Sequence, residues 1–182
     1  MLQHKGTVIL ETERLILRPF TMEDVQPMSH NWASDPEVAK YLTWTAHTNE
    51  EETKFIVRSW VEEYARLDSY QWAIELKSLG QPIGSIAVIQ VDESADMCEV
   101  GYCIGKTWWH QGIMTEALHR VMQFLFDEVK AKRICAKHAT ENPNSGKVMK
   151  KCGMKYEGTW ENAGKTGLGE ICDLAVYSIT RE

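Results

Sequence analysis

Between residues 70 and 104 the chain reads as three consecutive strands: YQWAIEL (70–76), PIGSIAVIQV (82–91) and MCEVGYCI (97–104). Only KSLGQ and DESAD separate them. Connections this short suit hairpins, because parallel neighbours need a crossover of roughly a dozen residues or more. The run is therefore an antiparallel meander, and the rest of the chain must pack around it.

Upstream, RLILRPF (14–20) alternates in the strand manner and stops at Pro19. Thr21 and Asp24 then stand in capping-box spacing and open a helix expected to run towards Trp32. A second box, Thr48 with Glu51, opens a longer helix whose Ile56, Trp60, Tyr64 and Leu67 share one face. Downstream of the meander, a helix from about residue 112 carries Ile113, Ala117, Leu118, Val121, Leu125 and Phe126 on its buried side.

RICAKHA (133–139) follows as a strand, and NPNSGKVMKKCG (142–153) as a short helix. Asn142 sits where an N-cap belongs, Pro143 at the first helical position, and Gly153 at a left-handed exit. Two last strands, around 155–161 and 171–179, flank a glycine-rich loop, NAGKTGLGE. No repeat or linker divides this order. The pattern predicts one α+β domain over 1–182 with a central mixed sheet.

The composition, 43% apolar and 25% charged, is that of a soluble globular chain long enough to build its own core. Cys98, Cys103, Cys135, Cys152 and Cys172 are odd in number and form no C-x-x-C pair. That argues against a disulfide framework or zinc ribbon and for a reducing, cytoplasmic setting. No H-x-x-x-H spacing occurs, so no metal site is expected. No run is long and apolar enough to suggest a membrane span, and MLQHKGTVIL lacks the layout of a secretion signal. A net charge of −6 disfavours nucleic acid as a partner.

GKT at 164–166 invites a nucleotide-binding reading that fails on spacing. Five residues separate Gly158 from Gly164 where a Walker A loop has four, and no helix pattern follows Thr166. A mobile hairpin loop near an acceptor pocket is the better expectation. No G-x-S-x-G elbow or Cys–His signature is present either.

The helix near 112 begins without the usual cap. Trp108, Trp109, His110, Gln111 and Gly112 precede it, with no Ser, Thr, Asp or Asn among them. Its first N–H groups must face water or a ligand, and a helix N-terminus attracts anions. Gly112 lets backbone approach a bulky group, and Thr115 adds a hydroxyl. Strand, aromatic loop, glycine and helix make a pyrophosphate cradle without a Walker lysine; an ordinary loop with solvated N–H groups is the alternative.

WHQGIMTEAL (109–118) is similar to the WGxGxATEAL pattern of the GNAT superfamily of acetyl-CoA-dependent N-acetyltransferases, and more narrowly of its RimJ/RimL-type branch. TERLILRPFTMEDV, EVGYCI and NPNSGKVMKKCGMKYEGT resemble three further segments of that branch, in the same order over about residues 11–180. The resemblance implies a mostly antiparallel sheet of about seven strands with about four helices, splayed where acetyl-CoA binds. It implies coenzyme contacts from Trp109, His110, Gln111, Gly112, Ile113, Met114, Thr115, Asn142 and Ser145, with His110 acting through its backbone. Trp32, Trp44 and the 31–47 segment are where it places the acceptor pocket, and a homodimer is what it suggests of assembly. Met114 is bulkier than the usual alanine, and Met149 stands where many relatives carry a tyrosine proposed as proton donor.

Acetyl transfer to an amine needs a deprotonated amine, donors for the tetrahedral oxyanion, and a departing thiolate. An α-amine with a pKa of about 7.7–8.0 needs only a weak base or a water. Backbone N–H groups near Cys103 or Ile104, exposed by splaying, are expected to meet the oxyanion. Glu99, in phase with Gly101 and Cys103, is the first candidate base or water holder; Glu161 and Asp173 are rivals, and a solvated strand carboxylate is the plain alternative. Ser145 is expected to donate to sulfur or to help cap its own helix. The expected acceptor is a protein N-terminal amine, as on a ribosomal protein. A small-molecule amine is the alternative, and a non-catalytic acyl-CoA sensor the more distant one.

Overall fold

The computed structural model describes residues 1–181. The meander forms as expected: β3 (Gln71–Leu76), β4 (Gln81–Asp92) and β5 (Met97–Ile104) pair antiparallel in sequence order. Ahead of them, β1 (Leu10–Glu11) and β2 (Leu15–Pro19) extend the same sheet. Beyond β5 the chain crosses over through α4 (Ile113–Asp127) and returns as β6 (Arg133–Ala139), parallel to β5. After α5 (Pro143–Lys151), β7 (Lys155–Lys165) and β8 (Ile171–Thr180) complete, among the described residues, an eight-stranded sheet in the order β1-β2-β3-β4-β5-β6-β8-β7. The extra strand over the expected seven is β1, two residues that sequence periodicity is too short to register.

Two apolar layers sandwich this sheet. On one face α4 buries Ile113, Met114, Ala117, Leu118, Val121, Met122, Phe124 and Leu125 against Trp72, Ile74, Ile86, Val100 and Ile134. Trp72 is fully buried, crosses Phe124 edge-on at 5.8 Å, and donates its indole N–H to the Val8 carbonyl at 2.7 Å. Phe126, expected in the core, lies at its edge beneath the Arg181 guanidinium.

The opposite face is covered by α1 (Val25–Met28), α2 (Pro36–Ala39) and α3 (Glu50–Glu63) around Phe20, Trp32 and Val57. Here the sequence expectations need correcting. The helix towards Trp32 is a 3₁₀ turn, a single α turn and a π turn in series. The α3 cap is Asn49, whose side chain accepts from Glu52 N–H at 3.1 Å, and Thr48 instead bonds the Glu52 carboxylate at 2.7 Å. Leu67 lies beyond the end of α3 and is exposed.

Candidate active site

The β5–β6 pairing builds the site by stopping early. Its ladder has three rungs, Met97↔Arg133, Cys98↔Ile134 and Glu99↔Cys135, after which the strands part. The ladder between β5 and β4 continues through Gly84↔Ile104, so β5 keeps its straight partner on one side and loses the other. Gly105 donates its N–H to Ile83 of β4 at 2.8 Å. Strand N–H groups alternate in direction, so Cys103 also points at β4 while Tyr102 and Ile104 point into the gap. Of the two amides singled out from sequence, that of Ile104 therefore faces the gap and that of Cys103 faces β4. Tyr102 is the second free amide. Trp109 closes the top of the gap, its indole N–H donating to the Ile104 carbonyl at 2.9 Å.

Between β5 and α4 the chain makes a 3₁₀ turn over Lys106–Trp108, then two left-handed residues, His110 at φ 60° and Gly112 at φ 75°. Glycine occupies the second at no steric cost. Gly112 is the α4 N-cap and, among the described residues, no side chain caps the helix, so the first-turn amides of Ile113, Met114 and Thr115 are left for an outside acceptor. The first intrahelical bond runs from Glu116 N–H to the Gly112 carbonyl at 3.1 Å.

A cleft of about 450 Å³ joins these features. Trp109, His110, Gln111, Gly112, Ile113, Met114 and Thr115 all line it, together with Cys103, Ile104, Asn142 and Ser145. Every residue expected to hold the coenzyme thus meets in one cavity, of the size usual for a small-molecule site. Asn142 is the N-cap position of α5, yet its side chain makes no capping bond and remains available to the cleft. Ser145 does not cap either: its hydroxyl donates to the Tyr102 hydroxyl at 3.2 Å, which in turn donates to the Ser145 carbonyl at 2.9 Å. Burial pushes the Tyr102 phenol well above its ordinary range, so it serves as a neutral donor. Met149 is buried in the core and is not among the residues lining the cleft.

Glu99 is not among the residues lining the cleft. Its carboxylate is buried and bonds Lys137 Nζ at 2.8 Å, beside the last ladder rung, while Lys137 also sits 4.9 Å from the Trp160 ring. Glu161 is exposed, and Asp173 accepts the Asn162 N–H at 2.7 Å; neither reaches the cleft. Trp32 is a core residue, and Trp44 packs beneath the β7–β8 turn, where Gly167 N–H donates to the Leu42 carbonyl at 2.9 Å. That bond, with Gly167 lying close against the Trp44 backbone, joins the turn to the 42–44 segment. From the 31–47 segment it is Glu37, Val38, Tyr41 and Leu42 that wall the cleft.

Sequence reasoning also missed Lys147 and Lys151, which line the cleft from α5. Their four-residue spacing, shared with Asn144 and Val148 on the same helical face, was the available signal. They add positive charge to the wall that faces the uncapped α4 entrance. Glu141 and Glu37 line the cavity as well, the latter ion-paired with Lys106.

A model of the acetyltransferase (GNAT) domain matches residues 14–155. The N-acetyltransferase p20 of Bacillus licheniformis, itself uncharacterized, is 27% identical over 172 residues, 94% of this chain and 96% of that one. A GNAT-family acetyltransferase from Bacillus anthracis superposes with a TM-score of 0.82 at 25% identity, covering 95% of this chain and 98% of its own. RimL, a ribosomal L7/L12 α-N-protein acetyltransferase solved with coenzyme A, superposes with a TM-score of 0.84 at 19% identity, covering 95% and 98%. A splayed β5, an uncapped glycine-led α4 and a cleft between them are thus accompanied by a family match over most of the chain: it belongs to the GNAT family of acetyl-CoA-dependent acetyltransferases.

Proposed function

We propose that the protein transfers the acetyl group of acetyl-CoA to a protein N-terminal amine, by direct attack within a ternary complex. The observation that carries the reaction type is the gap beside β5, where the Tyr102 and Ile104 amides face a cavity that also holds the free amides of α4. In this reading the diphosphate docks on Ile113–Thr115, helped by Lys147 and Lys151, and the pantetheine arm runs along β5 as an added strand. The amine attacks the thioester carbonyl, the oxyanion forms against the Ile104 N–H, and the carbon–sulfur bond breaks. Ser145 turns its hydroxyl from Tyr102 to the departing sulfur, exchanging a long 3.2 Å bond for one to an anion. The amine's proton passes to water, and no strong base is required near pH 7.5.

Glu99 takes a supporting part here: its ion pair with Lys137 holds β5 and β6 together at the fork. The choice of a protein N-terminus as acceptor draws on the RimL-type resemblance and on RimL's own α-N-protein activity. Mass spectrometry after incubation with acetyl-CoA and parallel panels of peptides and small amines tests it. Acetylation at peptide α-amines supports the assignment, and acetylation of free small amines alone overturns it. Tight acetyl-CoA binding without product on either panel would instead make the protein a sensor.

A further inference from the structure

The α4 entrance carries a conflict that the chain resolves from another element. Glu116 lies in the first turn of α4, where a carboxylate favours the helix but repels any second anion brought to the same N–H groups. Just ahead of the turn, the Gln111 carbonyl presents a negative dipole end. One residue answers both. Arg14 Nε donates to Glu116 Oε2 at 2.7 Å, and its Nη1 donates to the Gln111 carbonyl at 2.9 Å. Its Nη2 lies 3.6 Å from the point a Cβ on Gly112 would occupy.

Glu116 is otherwise satisfied from the same side. Its Oε1 accepts the Thr12 hydroxyl at 2.6 Å and the Arg14 N–H at 2.9 Å, and Thr12 accepts the Leu15 N–H at 3.0 Å. Burial raises the Glu116 carboxyl, and the Thr12 and Arg14 donors more than offset it, keeping the group ionised. The turn before β2 and the turn before α4 are therefore tied by one charged side-chain pair, outside the cleft itself.

We propose that Arg14 is a positioning residue for coenzyme binding, neutralising Glu116 and holding the Gln111 carbonyl away from the incoming diphosphate. This rests on the reading that the diphosphate docks at Ile113–Thr115. Arg14 acts through the 111–112 backbone and leaves the thioester end of the cleft alone. Its effect is thus confined to donors that carry phosphate.

The test compares acetyl-CoA with S-acetylpantetheine, which keeps the thioester and lacks the diphosphate, in NMR affinity titrations. Arg14→Met weakens acetyl-CoA binding about tenfold, the scale of one lost charge-assisted contact, and leaves S-acetylpantetheine affinity unchanged. Adding Glu116→Gln removes the uncompensated carboxylate, and the double variant regains most of the lost affinity. Equal loss for both donors, in the single and the double variant alike, would make Arg14 a general fold residue and overturn the proposal. So would unchanged acetyl-CoA affinity. If the unaltered protein binds both donors equally well, the diphosphate reading itself fails, an outcome separable from any effect of Arg14.

Discussion

Ser145 and Tyr102 share a pair of hydroxyl groups whose protons have different freedom. The Tyr102 proton is held by the Ser145 carbonyl at 2.9 Å, whereas the Ser145 proton spans 3.2 Å to the phenol oxygen. Ser145→Ala is expected to lower turnover roughly tenfold, with the acetyl-CoA KM within about twofold, as loss of a donor used only in the transition state requires. Tyr102→Phe frees the serine proton, costs about 1 kcal/mol of stability and leaves turnover within about threefold. Steady-state kinetics decides between them. If Tyr102→Phe is the more damaging, the phenol and not the serine serves the sulfur. A second residue-scale expectation concerns His47, whose Nδ1 lies 2.7 Å from the fully buried Thr53 hydroxyl. Burial holds its pKa below the ordinary value of 6.5, against the opposing pull of Glu52. The folded state keeps His47 neutral while the unfolded chain takes up a proton, so stability is full above pH 6.5 and falls as pH drops below it. Denaturant melts at successive pH values, with His47→Gln flattening the slope across that window, check the sign.

At the scale of elements, the site depends on how α5 is seated on β6. A Cβ at Gly146 would stand 2.6 Å from His138 Nε2. That imidazole cannot easily yield, being stacked on Tyr177 and tied through Nδ1 to the Ala139 carbonyl at 2.7 Å. Gly146→Ala should therefore lift α5, costing about 1–3 kcal/mol in a denaturant melt, and weaken coenzyme binding by moving Asn142 and Ser145 together. Unchanged stability and affinity would show that α5 is not held by this contact. Much of this element was legible beforehand: Asn142, Pro143 and the left-handed Gly153 bound the helix as their positions predict. So were the meander and the buried side of α4, because both obey clear periodicities. The chain from Pro19 to Asn49 was poorly legible, because its turns change hydrogen-bond spacing from 3₁₀ to α to π. Glu99 shows a different limit. Strand phase put it correctly on the Cys103 face, but phase carries no information about distance along the strand or about Lys137 arriving from β6.

Across the whole molecule, the cleft is framed by β5, α4, α5 and the α2 segment, pieces that meet only in the folded state. A ligand that binds there stabilises the fold as one body: at a hundred times its Kd, acetyl-CoA adds about 2.7 kcal/mol. For a chain of this length the expected rise in Tm is roughly 5–10 °C, readable by scanning calorimetry. Removing the diphosphate should remove most of that rise, and an equal rise with S-acetylpantetheine would argue against phosphate contacts. The most direct measurement is an amide NMR titration with coenzyme A, followed residue by residue. The account predicts the largest shifts at Gly112, Ile113, Met114 and Thr115, with Tyr102 and Ile104 moving in step. Saturable binding that leaves those amides where they stood would contradict it.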